Sequence, residues 1–187
     1  MPELPEVETT MRALEHRLQG AAFADVTQRR SDLRFPMPDR LAGRLRGRRA
    51  IGFRRRAKYI LVDLDDASTL VIHLGMSGRL VFDGEDLGRH EHVTFVFADG
   101  TTLRFHDPRR FGMLDLTATA DLGEHRWFRH LGMEPLGNAF DGSTLRAALA
   151  GRSAVLKQAI MDQRVVVGVG NIYASESLFR ARLSPRR

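Results

Sequence analysis

From Ala50 to about Leu116 the chain is a succession of short apolar runs broken by turn residues, a pattern that leaves little choice of fold. Tyr59–Leu64 and Leu70–Leu74 are β-rich runs ended by turn residues. Val93, Phe95 and Phe97 alternate before Asp99-Gly100, a two-residue hairpin signal, with Leu103 and Phe105 on the return. Several short strands at this spacing predict an antiparallel β-sandwich. The flanks read differently. Leu4, Val7, Met11, Leu14 and Leu18 recur in steps of three and four, the period of a buried amphipathic helix. Ala22–Arg29 reads as a strand and Asp39–Leu45 as a short helix. From about Leu122 the pattern turns helical, first around Trp127, Phe128 and Leu131, then over Leu145–Leu149 and Val155–Met161. The class expected is α+β: a β-sandwich domain flanked by helices over 1–131, a Gly- and Pro-rich linker over 132–142, and a helical domain over 143–187.

Composition narrows the function classes. The chain of 187 residues carries a formal net charge of +6 and a pI near 10.8, which favours a polyanionic partner. It has no cysteine, so disulfides and thiolate metal sites are excluded. No apolar run approaches the length of a membrane span, and the start is acidic rather than basic, so neither a membrane partner nor a secretory signal is expected. The expected location is cytoplasmic. His90 and His92 have ligand-like spacing, with His73 and His106 on other strands, but no carboxylate or thiolate cluster accompanies them and no metal site is expected.

The first eight residues, Met1-Pro-Glu-Leu-Pro-Glu-Val-Glu8, carry the chemistry. Removal of Met1 leaves Pro2 with a terminal secondary amine. An unperturbed α-amino group titrates near pH ~8, roughly two units below lysine, so a usable fraction is nucleophilic at neutral pH. Attack by such an amine on a sugar or carbonyl carbon gives an iminium ion, an electron sink for eliminations, and Glu3 lies beside it to move protons. The plain alternative is a helix start: proline suits the first turn, and Glu6 and Glu8 complement the helix dipole.

Further along, Arg44–Lys58 is rich in arginine and contains no acid, the composition of a solvated basic face or of phosphate contacts without base selectivity. Within it Arg54-Arg55-Arg56-Ala57-Lys58-Tyr59 leads straight into an apolar strand, which sets Lys58 at a fixed strand start. His73-Leu-Gly-Met-Ser-Gly78 and Asp107-Pro-Arg-Arg-Phe-Gly112 are two turns after strands. Met76 at the first is either core or a wedge for a base stack. Gly168-Val-Gly170 lacks the third glycine and the ribose-binding acid of a dinucleotide fold; it fits a hinge between helices, with Asn171 capping the helix through Glu176 to Phe179.

Taken together, the opening string, Arg56-Ala-Lys-Tyr59, the two turns and Val165–Ala174 resemble the formamidopyrimidine-DNA glycosylases, bacterial base-excision repair enzymes, over residues 1 to about 185. The resemblance implies that Pro2 is the nucleophile, with Glu3 and Lys58 in the catalytic site; Glu6 is either structural or catalytic. It implies that Met76, Arg109 and Phe111 fill the gap left by a flipped base, Arg109 reaching the orphaned base and Phe111 intercalating. His73, His92, Arg110, Lys157 and Asn171 are implied as contacts to damaged double-stranded DNA, bound by a monomer associated with the nucleoid. The C-terminal part then corresponds to a helix–two-turns–helix domain cut short after Leu183-Ser-Pro185. The further helices and four-cysteine zinc finger of the family have no counterpart in this sequence, so no cofactor is expected, affinity for DNA should drop, and apolar surface should be left uncovered.

The implied activity is removal of oxidised purines such as 8-oxoguanine and formamidopyrimidines, followed by β,δ-elimination at the abasic site. Three rivals stand beside it: an endonuclease VIII-type glycosylase for oxidised pyrimidines, a tautomerase using an amino-terminal proline as base, and a catalytically impaired DNA-binding fragment. Leu4, Val7 and Arg109–Phe111 resemble the purine-lesion branch, and the helix pattern directly after Pro2 argues against the tautomerase.

Overall fold

The computed structural model describes residues 2–84 and 88–186. The chain forms two compact units, Met1–Leu122 and Gly123–Arg187. The first opens with helix α1 (Leu4–Leu18), whose Leu4, Val7, Met11, Leu14 and Leu18 are buried along one face, as the sequence period requires. Strand β1 (Phe23–Gln28) and helix α2 (Leu41–Leu45) follow, then β2 (Ala50–Arg56), β3 (Tyr59–Leu64), β4 (Ser68–His73), β5 (Arg79–Phe82), β6 (Glu91–Phe97), β7 (Thr102–His106) and β8 (Met113–Ala118). The strands form two four-stranded sheets, ordered β1-β6-β7-β5 and β2-β3-β4-β8. Every pairing within them is antiparallel.

One apolar cluster joins the two sheets to α1 and α2. Phe95, Phe97 and Phe105 come from one sheet, Ile60, Leu70, Ile72 and Leu114 from the other, and Leu14, Leu41 and Leu45 from the helices. Phe23 meets the Phe95 ring edge-on at 5.9 Å and lies 4.7 Å from Phe97, a geometry suited to aromatic quadrupoles. Two local expectations need correction. The β6–β7 hairpin has a three-residue loop rather than two: Gly100 N–H donates to the Phe97 carbonyl, Phe97 N–H donates to Thr101, and Gly100 takes φ 87°. That is a turn closed by a left-handed glycine, which forms a bulge. Helix α2 starts two residues late because Arg40 is held in the left-handed region at φ 52°.

The second unit holds α3 (Gly142–Leu149), α4 (Leu156–Met161) and α5 (Asn171–Arg180). Ile160 of α4 packs on Ala174 and Leu178 of α5. The helix expected around Trp127 is instead a series of turns folded on His125, whose carbonyl accepts from Phe128 and Arg129 N–H and whose ring meets Trp127 and Phe128. Gly132 and Met133 belong to the packed part of this unit: Gly132 N–H donates to Gln163 and the Met133 carbonyl accepts from Val167. Ile172, Tyr173 and Phe179 are exposed on α5, Phe179 by 81%. Among the described residues no helix is long and apolar enough to cross a membrane.

Phe95 is 1% exposed at the centre of the core. Phe95→Ala is expected to destabilise the first unit by about 3–5 kcal/mol, the sum of lost transfer free energy and a residual cavity. Urea unfolding should show a lower midpoint with an unchanged slope; a changed slope would mean the denatured ensemble moved instead.

Candidate active site

The start of α1 is built by two acids. Glu3 is its N-cap, with β-region backbone, and Glu6 is three residues on: the Glu3 carboxylate accepts the Glu6 N–H, and Glu6 Oε2 accepts the Glu3 N–H at 2.8 Å. This reciprocal arrangement satisfies donors that a helix start otherwise leaves open. It also fixes Glu3, 2% exposed, directly after the partly buried Pro2. Met1, whose removal the sequence leads one to expect, lies outside the described residues.

Lys58 sits in the two-residue turn Ala57-Lys58 between β2 and β3, whose last pair is Arg56 with Tyr59. The sequence places it at the strand start; the tight hairpin moves it into the turn. Burial pulls its ammonium below the usual lysine range, and the charges of Glu3 and Glu6 oppose that shift. The lysine and both N-terminal carboxylates therefore belong to one electrostatic group. His73 pairs with Tyr59 across β3 and β4, their rings 4.7 Å apart. Burial, then the charges of Lys58 and Arg34, lower His73 to about 4. Its Nδ1 accepts the Gly75 N–H at 3.0 Å, so the neutral ring carries its proton on Nε2 and keeps that donor. Arg34 is a residue sequence reasoning missed. Its charge acts on both Tyr59 and His73, yet it lies in an irregular segment that nothing in the sequence separates from the other arginines.

The two turns after β4 and β7 are locked together around Asp107, which is fully buried. Its carboxylate accepts from the Ser77 hydroxyl at 2.6 Å, the Gly112 N–H at 2.7 Å and the Arg109 N–H at 3.3 Å. Gly75 has φ 63°, and a Cβ there would stand 2.3 Å from the Phe111 backbone, so only glycine permits this approach. Met76 and Phe111 stand on the two turns so joined, each 40% exposed, which removes the core reading of Met76. The Arg109 guanidinium lies 4.8 Å over the Phe111 ring, and Arg110 is exposed with φ 57°. Sequence reasoning does not single out Ser77 and Asp107 as organisers, because a buried acid in a turn looks like any turn acid in sequence.

His92 is corrected. It is 2% exposed, with Nε2 2.8 Å from the Asp107 carbonyl oxygen, so it braces the Asp107 turn and is closed to an external phosphate. His92 lies at the register shift between Glu91 and Val93, and His90 is the partly exposed histidine of the pair. Among the described residues there is no group of His, Asp or Glu that could hold a metal ion.

In the second unit the N-cap of α5 is Gly170, so Asn171 is its first helical residue rather than its cap, and it is exposed there. The preceding loop is organised by Gln163, whose Oε1 accepts the Gly168 N–H at 2.8 Å and whose Nε2 donates to the Met161 and Val169 carbonyls. Lys157, in α4, is partly exposed and its backbone N–H donates to Pro185.

His73 also sets a pH dependence. Between pH 6.5 and about 4 the unfolded chain takes up a proton on His73 that the folded chain refuses, so folding stability falls as pH falls through that window. His73→Asn should remove this part of the slope in unfolding measured at pH ~7, ~6 and ~5; an unchanged slope would place the linkage elsewhere.

Two family models match the chain: the formamidopyrimidine-DNA glycosylase N-terminal domain over residues 1–114 and the formamidopyrimidine-DNA glycosylase H2TH domain over 131–187. Formamidopyrimidine-DNA glycosylase of Ruegeria sp. (strain TM1040) is 49% identical over all of this chain and 70% of its own length. That of Beijerinckia indica is 51% identical over all of this chain and 68% of its length. Among solved structures, the MutM (Fpg) protein of Thermus thermophilus is 41% identical with a TM-score of 0.87, over all of this chain and 66% of that one. The Lactococcus lactis enzyme in complex with Fapy-dG-containing DNA is 33% identical with a TM-score of 0.88, over 99% of this chain and 70% of that one. The relatives thus match essentially all of this chain, which spans about two thirds of their length, and the chain belongs to the formamidopyrimidine-DNA glycosylase family.

Proposed function

We propose that this chain is a base-excision repair glycosylase and abasic-site lyase for oxidised purines in duplex DNA. The observation that carries the reading is the junction of Pro2, the buried and capped Glu3, and Lys58 in the field of Glu3 and Glu6. After removal of Met1, the Pro2 amine attacks C1′ of the damaged nucleotide. Glu3 gives a proton to the sugar ring oxygen, the base leaves with the C1′–N bond electrons, and the opened sugar forms an iminium with Pro2. The iminium acidifies the neighbouring C–H bonds, so elimination of the 3′ and then the 5′ phosphate follows, with Lys58 and Glu3 moving the protons. Water releases Pro2.

Met76, Arg109 and Phe111 are read as the group that enters the helix when the base leaves it; the exposure of Met76 and Phe111 and the guanidinium over the ring support this. His73 and Arg110 are read as phosphate contacts, as are Lys157 and Asn171 in the second unit, with DNA-bound Lactococcus lactis relatives as the supporting comparison. A DNA substrate implies a place with the nucleoid, and a monomer suffices for it.

Borohydride trapping on a duplex with one abasic site tests the chemistry. A covalent adduct is expected from the parent chain and none from Pro2→Gly with a blocked amino terminus; no adduct from a folded parent chain would leave a DNA-binding protein without the lyase step. Met76→Ala is expected to slow release of 8-oxoguanine by about 10²-fold, since misplacing the flipped base affects only the base-removal geometry. Cleavage of a preformed abasic site should change far less, and equal losses in both assays would sink the wedge role.

A further inference from the structure

Lys58 stands in a turn that its own backbone resists. Ala57 is 1% exposed and has φ 53°, a left-handed conformation that disfavours any residue with a Cβ. Such a conformation persists only where the surroundings over-determine it. One side chain is placed to do so. Arg55, with 11% of its side chain exposed, donates from Nη1 to the Ala57 carbonyl at 2.9 Å and from Nε to Glu8 Oε2 at 2.8 Å. Glu8 lies in α1, one turn and a half from Glu3, and its other oxygen takes the Arg12 Nε at 2.9 Å. Burial works to raise the Glu8 carboxyl, and the hydrogen bonds from Arg12 and Arg55 outweigh it, so Glu8 stays ionised at neutral pH.

We propose that Arg55, braced by Glu8, is a positioning residue that clamps the strained Ala57-Lys58 turn to helix α1 and so holds the Lys58 amine in register with Glu3 and the Pro2 terminus. The catalytic consequence rests on the reading of Pro2, Glu3 and Lys58 given above; the clamp itself does not. Arg55 is thereby distinguished from its arginine-rich neighbours: both edges of its guanidinium are committed inside the unit, one to the turn and one to the helix that carries the site.

The test uses the full chain. Lys58 and Lys157 are its only lysines, so labelling with acetic anhydride as a function of pH, read by peptide mass spectrometry, reports Lys58 against an internal reference. In Arg55→Met the released turn should expose Lys58, and its labelling midpoint should rise toward the ordinary lysine range. Adding Ala57→Gly, which makes the left-handed conformation intrinsic, should bring the midpoint back toward the parent value. Glu8→Gln should produce a smaller rise in the same direction and decides the matter if Arg55→Met does not fold. On an abasic duplex the single-turnover trapping rate of Arg55→Met should fall about tenfold or more. Its Kd should stay within about twofold, since no phosphate contact is removed. An unchanged Lys58 midpoint would overturn the clamp, as would a weakened Kd without rescue by Ala57→Gly, which would assign Arg55 to DNA instead. If no variant and no parent traps DNA, the lyase reading fails, and the labelling midpoints alone still decide for or against the clamp.

Discussion

The geometry of the exposed loops depends on one buried carboxylate. Asp107 gathers the Ser77 hydroxyl from one turn and the N–H groups of Arg109 and Gly112 from the other, while its own carbonyl takes His92 from β6. A buried polar group of this kind is tolerated only when its hydrogen bonds are made, so the two turns cannot separate without leaving it unsatisfied in the core. The same junction carries the exposed Met76 and Phe111 on the two turns it joins. The cost of presenting apolar side chains to water is offset by the polar junction beneath them. The glycine at position 75 completes the junction by letting the two backbones touch.

What the sequence made legible follows from what each signal measures. Hydrophobic period reports burial, and α1, the strands and the antiparallel class were all readable because each has one face in the same core. The three-residue hairpin loop, the late start of α2 and the turns around Trp127 were not, because they are set by single hydrogen bonds and left-handed residues such as Arg40. The candidate site divides the same way. Pro2, Glu3 and Lys58 stand in strings specific enough to identify, whereas Asp107, Ser77, Arg34 and Gln163 act through partners that no local string reveals. His92 was expected at the DNA only through the resemblance, and its burial against the Asp107 carbonyl is a tertiary fact that no local string announces.

The arginine-rich run from Arg44 to Lys58 shows how far net charge misleads about a surface. It contains no acid of its own, which in sequence suggests a solvated or phosphate-binding face. In the fold, acids arrive from elsewhere: Arg46 meets Asp25, Arg48 meets Asp66, Arg54 holds Asp63 through two nitrogens, and Arg55 meets Glu8. Arg44 and Arg49 donate to the Leu116 and Gly20 carbonyls. The exposed pairs are each worth little, about 0–1 kcal/mol; Arg46 and Arg48 tie the segment between α2 and β2 to Asp25 and Asp66, and Arg54 ties β2 to β3 through Asp63. Charge already matched inside the protein releases few counterions when DNA binds. The basic run therefore serves in large part to tie α2, β2 and their neighbours together within the first unit. A positive net charge read from sequence is thus no measure of how many cations face a polyanionic partner.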